Sequence, residues 1–197
     1  MTLQDIYIEE RLEDQIIKIE INGNTFEIFI NQGSSFGANH STTSLSISAI
    51  KFVISNEEKI INNSLDFGSG SGILSIVMKK LGILKVSAYE IDKLAIKESI
   101  LNFKSNFNKK DYPLTIENPL FKDYKYDLIV SNISGTFLPN NLYKITEIIN
   151  IDGYLIISGF NEEKKEKYIN LGKKLNLKLV KTFIKSPWIS IILKKTK

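Results

Sequence analysis

Apolar runs of strand length alternate along this chain with segments whose apolar positions recur every three or four residues. The strand-like runs are NSLDF (63–67), VSAYE (86–90), PLTIE (113–117), YDLIVSNI (126–133) and GYLIISGF (153–160). Most are near-continuous rather than alternating, which is the pattern of parallel strands covered on both faces. Between them, SGILSIVMKKLG sets Ile73, Leu74, Ile76, Val77 and Leu81 on one helical stripe, with Gly82 placed to end the helix. DKLAIKESILNFKSNF opens on Asp92, a good N-cap, and LPNNLYKITEIIN and NEEKKEKYINLGKKL supply two further helices. The C-terminal LKLVKTFIKSPWISIILKK holds two extended runs divided by Ser186-Pro187, expected as an antiparallel hairpin. Residues 1–35 contain an Asn22-Gly23-Asn24 turn signal within DQIIKIEINGNTFEIFI and are expected as a small leading hairpin, an extension of one domain at 36–197. Together these elements predict an α/β sheet with helices on both faces.

Composition narrows what such a domain does. A chain of 197 residues with 43% apolar content is large enough to bury a proper core. Residues 1–20 mix acids and bases among the apolar positions, and no 18 apolar residues run together, so neither a targeting segment nor a membrane span is expected. The absence of cysteine excludes disulfides, thiolate metal sites and cysteine nucleophiles, and fits a reducing cytoplasm. A single histidine excludes a histidine-rich metal site, and no metal is expected. The net charge of +4 comes from lysines interspersed with acids, the signature of solvated helix faces. Arg11 is the one arginine, so the bidentate contacts that read nucleic acid are scarce and no specific nucleic-acid binding is expected.

Chemistry concentrates at three places. LDFGSGSG follows a strand-like run and opens a helical one, and glycines there let the backbone turn sharply and approach a ligand at the helix N-terminus. Gly68, Gly70 and Gly72 stand two apart, unlike the dinucleotide fingerprint. Glu90 ends the next strand, 22 residues after Gly68, where a carboxylate can accept both ribose hydroxyls of a nucleotide; read alone, it is also what a strand-end surface acid looks like. Asn132 ends the fourth run beside the glycine turn, and its amide can hold an amine, or cap the following turn. About 20 residues before the glycines, FGANHSTTSLSISAI (36–50) is a small-residue loop that carries the only histidine and passes directly into a helical pattern.

FGANHSTTSLSISAI, LDFGSGSGILSI, AYEIDKLAIKESILNF, YDLIVSNI, GYLIISGF and SPWISIIL resemble, in order and interval, the catalytic domain of the PrmA family, the bacterial S-adenosylmethionine-dependent methyltransferases of large-subunit ribosomal protein eleven. The resemblance covers roughly residues 26–195. It implies a class I methyltransferase fold, Rossmann-like and doubly wound, with seven strands of which the last, near 188–194, is antiparallel. It implies S-adenosylmethionine as cofactor, with the 36–43 loop folded over it. The cofactor-binding set it implies is Thr43, Asp66, Gly68, Gly70, Gly72, Glu90 and Asn132. Asn132 would face the reactive methyl, Phe36 would wall the pocket, and His40 is the one side chain able to take a proton near neutral pH. Trp188 walls the substrate side or edges the core.

The chain departs from the family in several places. Ala38, Asn39 and Ser41 stand where a glycine, a polar residue and a proline are usual, Ser69 replaces a cysteine, and Glu90 replaces an aspartate. The family's N-terminal substrate-recognition domain is about a hundred residues long, whereas some 35 precede the loop here, so the ribosomal substrate is not carried over with the catalytic reading. NISG after the fourth strand lacks the Pro-Pro-Tyr that stacks planar nitrogens, which favours an aliphatic amine such as a protein lysine or N-terminal amine. A small-molecule amine or hydroxyl acceptor, and a cofactor-binding partner protein without catalysis, are the other readings the same motifs allow.

Overall fold

The computed structural model describes residues 6–10, 14–21, 24–31, 40–56, 60–116, 119–121 and 124–197. Seven strands form the main sheet: β4 (Asn63–Phe67), β5 (Lys85–Tyr89), β6 (Leu114–Thr115), β7 (Tyr126–Asn132), β8 (Ile149–Asn161), β9 (Leu177–Lys185) and β10 (Trp188–Lys195). Their order is β6-β5-β4-β7-β8-β10-β9, with β4 to β8 paired in parallel and β10 antiparallel to both its neighbours. The chain lays strands outward from β4 in one direction and then returns to β7 on its other side. That reversal opens a crevice at the carboxyl ends of β4 and β7.

Both faces of this sheet are buried, which is why its strands read as continuous apolar runs. Leu128, Val130, Tyr154, Ile156 and Ile192 point into one core, shared with helices α1 (Ser41–Asn56) and α2 (Ile73–Lys80) and with Phe103 of α3 (Lys93–Asn106). Leu65, Phe67, Ile129, Leu155, Ile157, Ile191 and Leu193 point into the other, covered by α4 (Phe137–Glu147) and α5 (Lys165–Lys174). Alternate residues of one strand thus serve opposite cores, the period-two consequence of a pleated backbone.

β1 (Ile6–Glu10), β2 (Asp14–Ile21) and β3 (Asn24–Asn31) form a second, antiparallel sheet in that order. It is more than a leading hairpin: a third strand joins, and Ile17, Ile19, Ile28 and Ile30 are buried in the core that α1 and α2 share. The Asn22-Gly23 part of its turn signal lies outside the described residues. So do Phe36, Ala38 and Asn39 of the loop.

Element ends follow local chemistry. Asp92 caps α3, its carboxylate accepting from the Leu94 amide at 2.8 Å. Gly82, with φ of +93°, stops the chain after α2. Two elements differ from the sequence reading. β6 is only two residues long, because Leu114 and Thr115 lie exposed at an edge and pair with β5 alone. β8 begins at Ile149, four residues before Gly153, because Tyr126 of β7 pairs with Ile149 before the register shifts. Among the described residues no helix is long and apolar enough to cross a membrane.

The glycines of the turn differ in what a side chain would meet. A Cβ on Gly72 would lie 2.6 Å from Phe103 and 3.0 Å from Ser99 of α3, and its φ is +78°. Gly82 shares the positive φ but faces open space. Gly72→Ala is therefore expected to cost roughly 3 kcal/mol, the sum of strain and overpacking, against about 1 kcal/mol for Gly82→Ala. Urea unfolding of the two variants measures the difference; equal losses would contradict the packing argument.

Candidate active site

A cavity of about 380 Å³ opens at the crevice. Its floor is the turn after β4, where Gly68 and Gly70 take φ of +80° and +52°. Backbone bonds tie that turn to the next strand: the amides of Gly68 and Ser69 donate to the Tyr89 carbonyl at 2.8 and 3.0 Å. Glu90 completes the tie. Its Oε2 accepts from the Gly70 amide at 2.9 Å, and its Oε1 accepts from the amides of Ile91 and Asp92 at 2.7 and 3.0 Å. A carboxylate has about four lone-pair positions, so one remains for a ligand donor. Glu90 faces the cavity with its carboxylate already oriented by the backbone.

Asp66 stands one residue before Phe67 at the end of β4, but it does not line the cavity. Gly72, at the N-cap of α2, offers no side-chain cap, and Asp66 fills that part from the strand: its Oδ2 accepts from the amide and hydroxyl of Ser75 at 2.8 and 2.7 Å. Among the described residues nothing donates to its other oxygen. Burial pushes the Asp66 carboxyl up to about 7; the two Ser75 bonds oppose the rise, and the charge of Glu90 adds to it.

Asn132 forms the opposite wall, at the end of β7. Its Oδ1 is buried and accepts no hydrogen bond among the described residues. Gly159 of β8 makes room for it, since a Cβ there would lie 3.2 Å from that oxygen. A buried acceptor without a donor is costly. Beside Asn132 the wall is apolar and aromatic: Phe67, Tyr89 and Phe137 form a continuous group, with ring centroids 5.0 Å apart between Phe67 and Tyr89 and 5.7 Å between Phe67 and Phe137.

The start of α1 supplies the remaining side. His40 and Thr42 line the cavity, and Trp188 meets His40 edge to face at a centroid distance of 5.2 Å. Trp188 therefore joins both readings made of it, since it also packs against the core. The Nδ1 of His40 accepts from the Thr42 amide at 3.3 Å and contacts the Thr42 hydroxyl at 2.8 Å, while its carbonyl accepts from the Thr43 amide at 2.9 Å. These contacts cap the helix and fix the ring beside Thr42. Thr43 is buried behind Thr42 and is not part of the wall. Gly72 likewise packs against α3 instead of the cavity. Phe36 lies outside the described residues.

Beneath Thr42, three buried serines link α1 to the sheet. Ser46 donates to the Thr42 carbonyl at 2.8 Å, Ser46 and Ser158 stand 2.9 Å apart, and Ser158 and Ser190 2.8 Å apart. With each hydroxyl holding one proton, the chain runs one way, from Ser190 through Ser158 and Ser46 to the carbonyl. Sequence reasoning passed over Thr42, Phe67, Tyr89, Ile133, Phe137 and Gly159. Gly159 alone carried a signal, a glycine interrupting an apolar strand.

A seven-stranded sheet of this order, with a glycine turn and strand-end acid at its switch point, defines the class I methyltransferase fold. The chain matches the family described as ribosomal protein L11 methyltransferase (PrmA) over residues 4–196, and it belongs to that family. A ribosomal protein L11 methyltransferase of Enterococcus faecalis is 33% identical over 171 residues, covering 85% of this chain and 53% of that protein. One from Staphylococcus saprophyticus is 30% identical over 171 residues, covering 84% and 52%. The chain thus spans about half the length of the curated relatives it matches. The crystal structure of a ribosomal protein L11 methylase from Lactobacillus delbrueckii subsp. bulgaricus superposes with a TM-score of 0.74 at 27% identity, over 85% of this chain and 84% of that one. The magnesium protoporphyrin IX methyltransferase of Synechocystis PCC 6803, solved with bound SAM, shares the fold at 14% identity and a TM-score of 0.66, over 77% of this chain and 78% of that one.

The raised Asp66 value has a consequence with a definite sign. In the unfolded chain the group ionises near 3.8, and in the folded protein near 7, so the folded state holds a proton that the unfolded state has released in between. Its contribution to stability is complete below about pH 4 and is lost as pH rises through about 7. Asp66→Asn keeps an acceptor for Ser75 and removes the ionisation. The variant should gain stability relative to the parent between pH 4 and pH 7, by at most on the order of 4 kcal/mol. Thermal unfolding across that range reads the difference directly, and a constant offset would contradict the assignment.

Proposed function

We propose that this chain is an S-adenosylmethionine-dependent methyltransferase whose acceptor is an aliphatic amine of a protein, a lysine side chain or an N-terminal amine. One observation carries the reading: Glu90 and the partnerless Asn132 Oδ1 face each other across a single apolar cavity floored by Gly68 and Gly70. The residues present fit the cofactor. A preoriented carboxylate with one acceptor position left suits a ribose hydroxyl, glycines of positive φ admit a ligand close to backbone, and the aromatic wall suits a flat heterocycle. Family membership and the L11 methylase structure support the same chemistry. A ribosomal protein acceptor is the reading that the relatives' names favour, and we infer a cytoplasmic setting with it.

When bound, the cofactor supplies a methyl group on a sulfonium, already activated for in-line displacement. The protein's own part is to position and desolvate the acceptor. Asn132 Oδ1 accepts an N–H of the amine, which orients the nitrogen lone pair and satisfies the buried oxygen. An ammonium with an ordinary pKa near 10.4 must first lose a proton. Transfer into an apolar pocket beside Trp188 and Phe137 lowers that pKa, so the reaction does not require a dedicated base. His40, committed through Nδ1 to Thr42, holds the start of α1 in place.

Calorimetric titration with S-adenosylmethionine, with NAD as control, tests the cofactor first: micromolar binding of the former alone is expected. Glu90→Ala should weaken that binding by roughly 1.5 to 3 kcal/mol, the range for hydrogen bonds to a charged group. Unchanged affinity would remove Glu90 from the site. Asn132→Ala should instead reduce turnover far more than cofactor affinity, as measured by methyl incorporation into candidate protein acceptors, and equal losses in both would contradict its role.

A further inference from the structure

Asn102 lies near the end of α3, is fully buried, and touches no part of the cavity. Its side-chain amide is shared between two distant segments. Nδ2 donates to the carbonyl of Ser71, inside the glycine turn, at 2.9 Å. Oδ1 accepts from the backbone amide of Asn31 at 2.9 Å and from the Asn31 side chain at 3.1 Å. Asn31 is the last residue of β3, and the chain leads from it to His40 and Thr42 on the cavity wall. One buried amide therefore holds both the floor of the site and the end of β3, the strand that precedes α1 in the chain.

We propose that Asn102 is a positioning residue for cofactor binding, and that through it the sheet of β1, β2 and β3 is a working part of the site. This rests on the reading of the cavity as the S-adenosylmethionine site. The carbonyl of Ser71 belongs to a turn in which four amides are already fixed. Gly68 and Ser69 donate to Tyr89, Gly70 donates to Glu90, and the Gly72 amide donates to Ser69 at 2.8 Å. The bond from Asn102 fixes the turn from the α3 side, next to the contact between Gly72 and Phe103. Both ends of the Asn102 side-chain amide are bonded, while the Ser71 hydroxyl has no partner among the described residues, and a buried network of this kind specifies one geometry more firmly than separate bonds do.

A neighbouring residue provides the control. Asn106, one helical turn further on, accepts from the Phe29 amide at 3.0 Å and donates to the Phe29 carbonyl at 2.6 Å, so it grips the same strand without reaching the glycine turn. A role for Asn102 limited to holding β3 would make the two asparagines equivalent in their effect on the glycine turn.

Hydrogen exchange of the ligand-free protein at the amides of residues 68–72, together with S-adenosylmethionine titration, separates the cases for Asn102→Ala, Asn106→Ala and the milder Asn31→Ala. Asn102→Ala should speed exchange in the turn and weaken cofactor binding, each by about tenfold, the weight of one to two lost hydrogen bonds. Asn31→Ala should shift both in the same direction by less, and serves alone if Asn102→Ala does not fold. Asn106→Ala should leave both within about twofold. Equal effects from Asn102→Ala and Asn106→Ala, or from Asn31→Ala and Asn106→Ala where the former stands alone, would overturn the proposal. If the parent protein binds no S-adenosylmethionine, the reading of the cavity fails, and the exchange rates alone then decide whether Asn102 fixes the turn.

Discussion

The turn between β4 and α2 is the constraint on which the rest of this molecule depends. Three of its residues, Gly68, Gly70 and Gly72, occupy backbone conformations that side chains rarely adopt, so the chain has no intrinsic preference holding it there. It is held from outside. Tyr89 and Glu90 hold it from β5, Asp66 and Ser75 hold the start of α2, and Asn102 holds it from α3. Each support comes from a different element, and the turn acquires its shape only when β4, β5 and α3 are packed together.

The same constraint explains the distribution of acids around the site. Asp66, within β4, and Glu90, just past the end of the neighbouring β5, meet opposite surroundings. Glu90 stands at the crevice with three backbone amides and an open side, the environment of a carboxylate that greets a ligand. Asp66 is sealed under the turn, where desolvation outweighs its two bonds to Ser75. Asp66 is inside β4, paired with Ala88, whereas Glu90 stands just past the end of β5 where the sheet opens to the crevice, so one acid starts a helix and the other is left facing the cavity.

The far wall is built on a different principle. Asn132 and Gly159 come from neighbouring parallel strands, and the missing side chain of one makes space for the amide of the other. The beginning of α1 is set over them by a chain of serine hydroxyls reaching into β8 and β10. Polar atoms this deeply buried are tolerable when paired, and of the three buried side-chain atoms without a partner among the described residues, on Asp66, Ser71 and Asn132, only Asn132 Oδ1 belongs to a residue that lines the cavity. The unpaired group is where a ligand has most to offer.

Sequence by itself determined the elements whose signal is local. The runs that became β4, β7 and β10 are apolar because both faces of the sheet are covered, Asp92 caps α3 through a bond two residues away, and Gly82 ends the segment after α2 through its own φ. The glycine turn and Glu90 were legible as a pair because a strand and helix of ordinary length fix their separation. Tertiary structure decided everything that depends on register or on partners distant in the chain. The early start of β8 follows from its pairing with Tyr126, the choice of Thr42 over Thr43 as wall from the direction of one helical turn, and the burial of the leading sheet from isoleucines that meet α1 and α2. Asn102 looks in the sequence like any polar residue on a lysine-rich helix, and only the arrival of Asn31 and Ser71 from 71 and 31 residues away gives it a task. Periodicity and caps are properties of neighbours along the chain; a hydrogen bond across the core has no image there until the chain has folded.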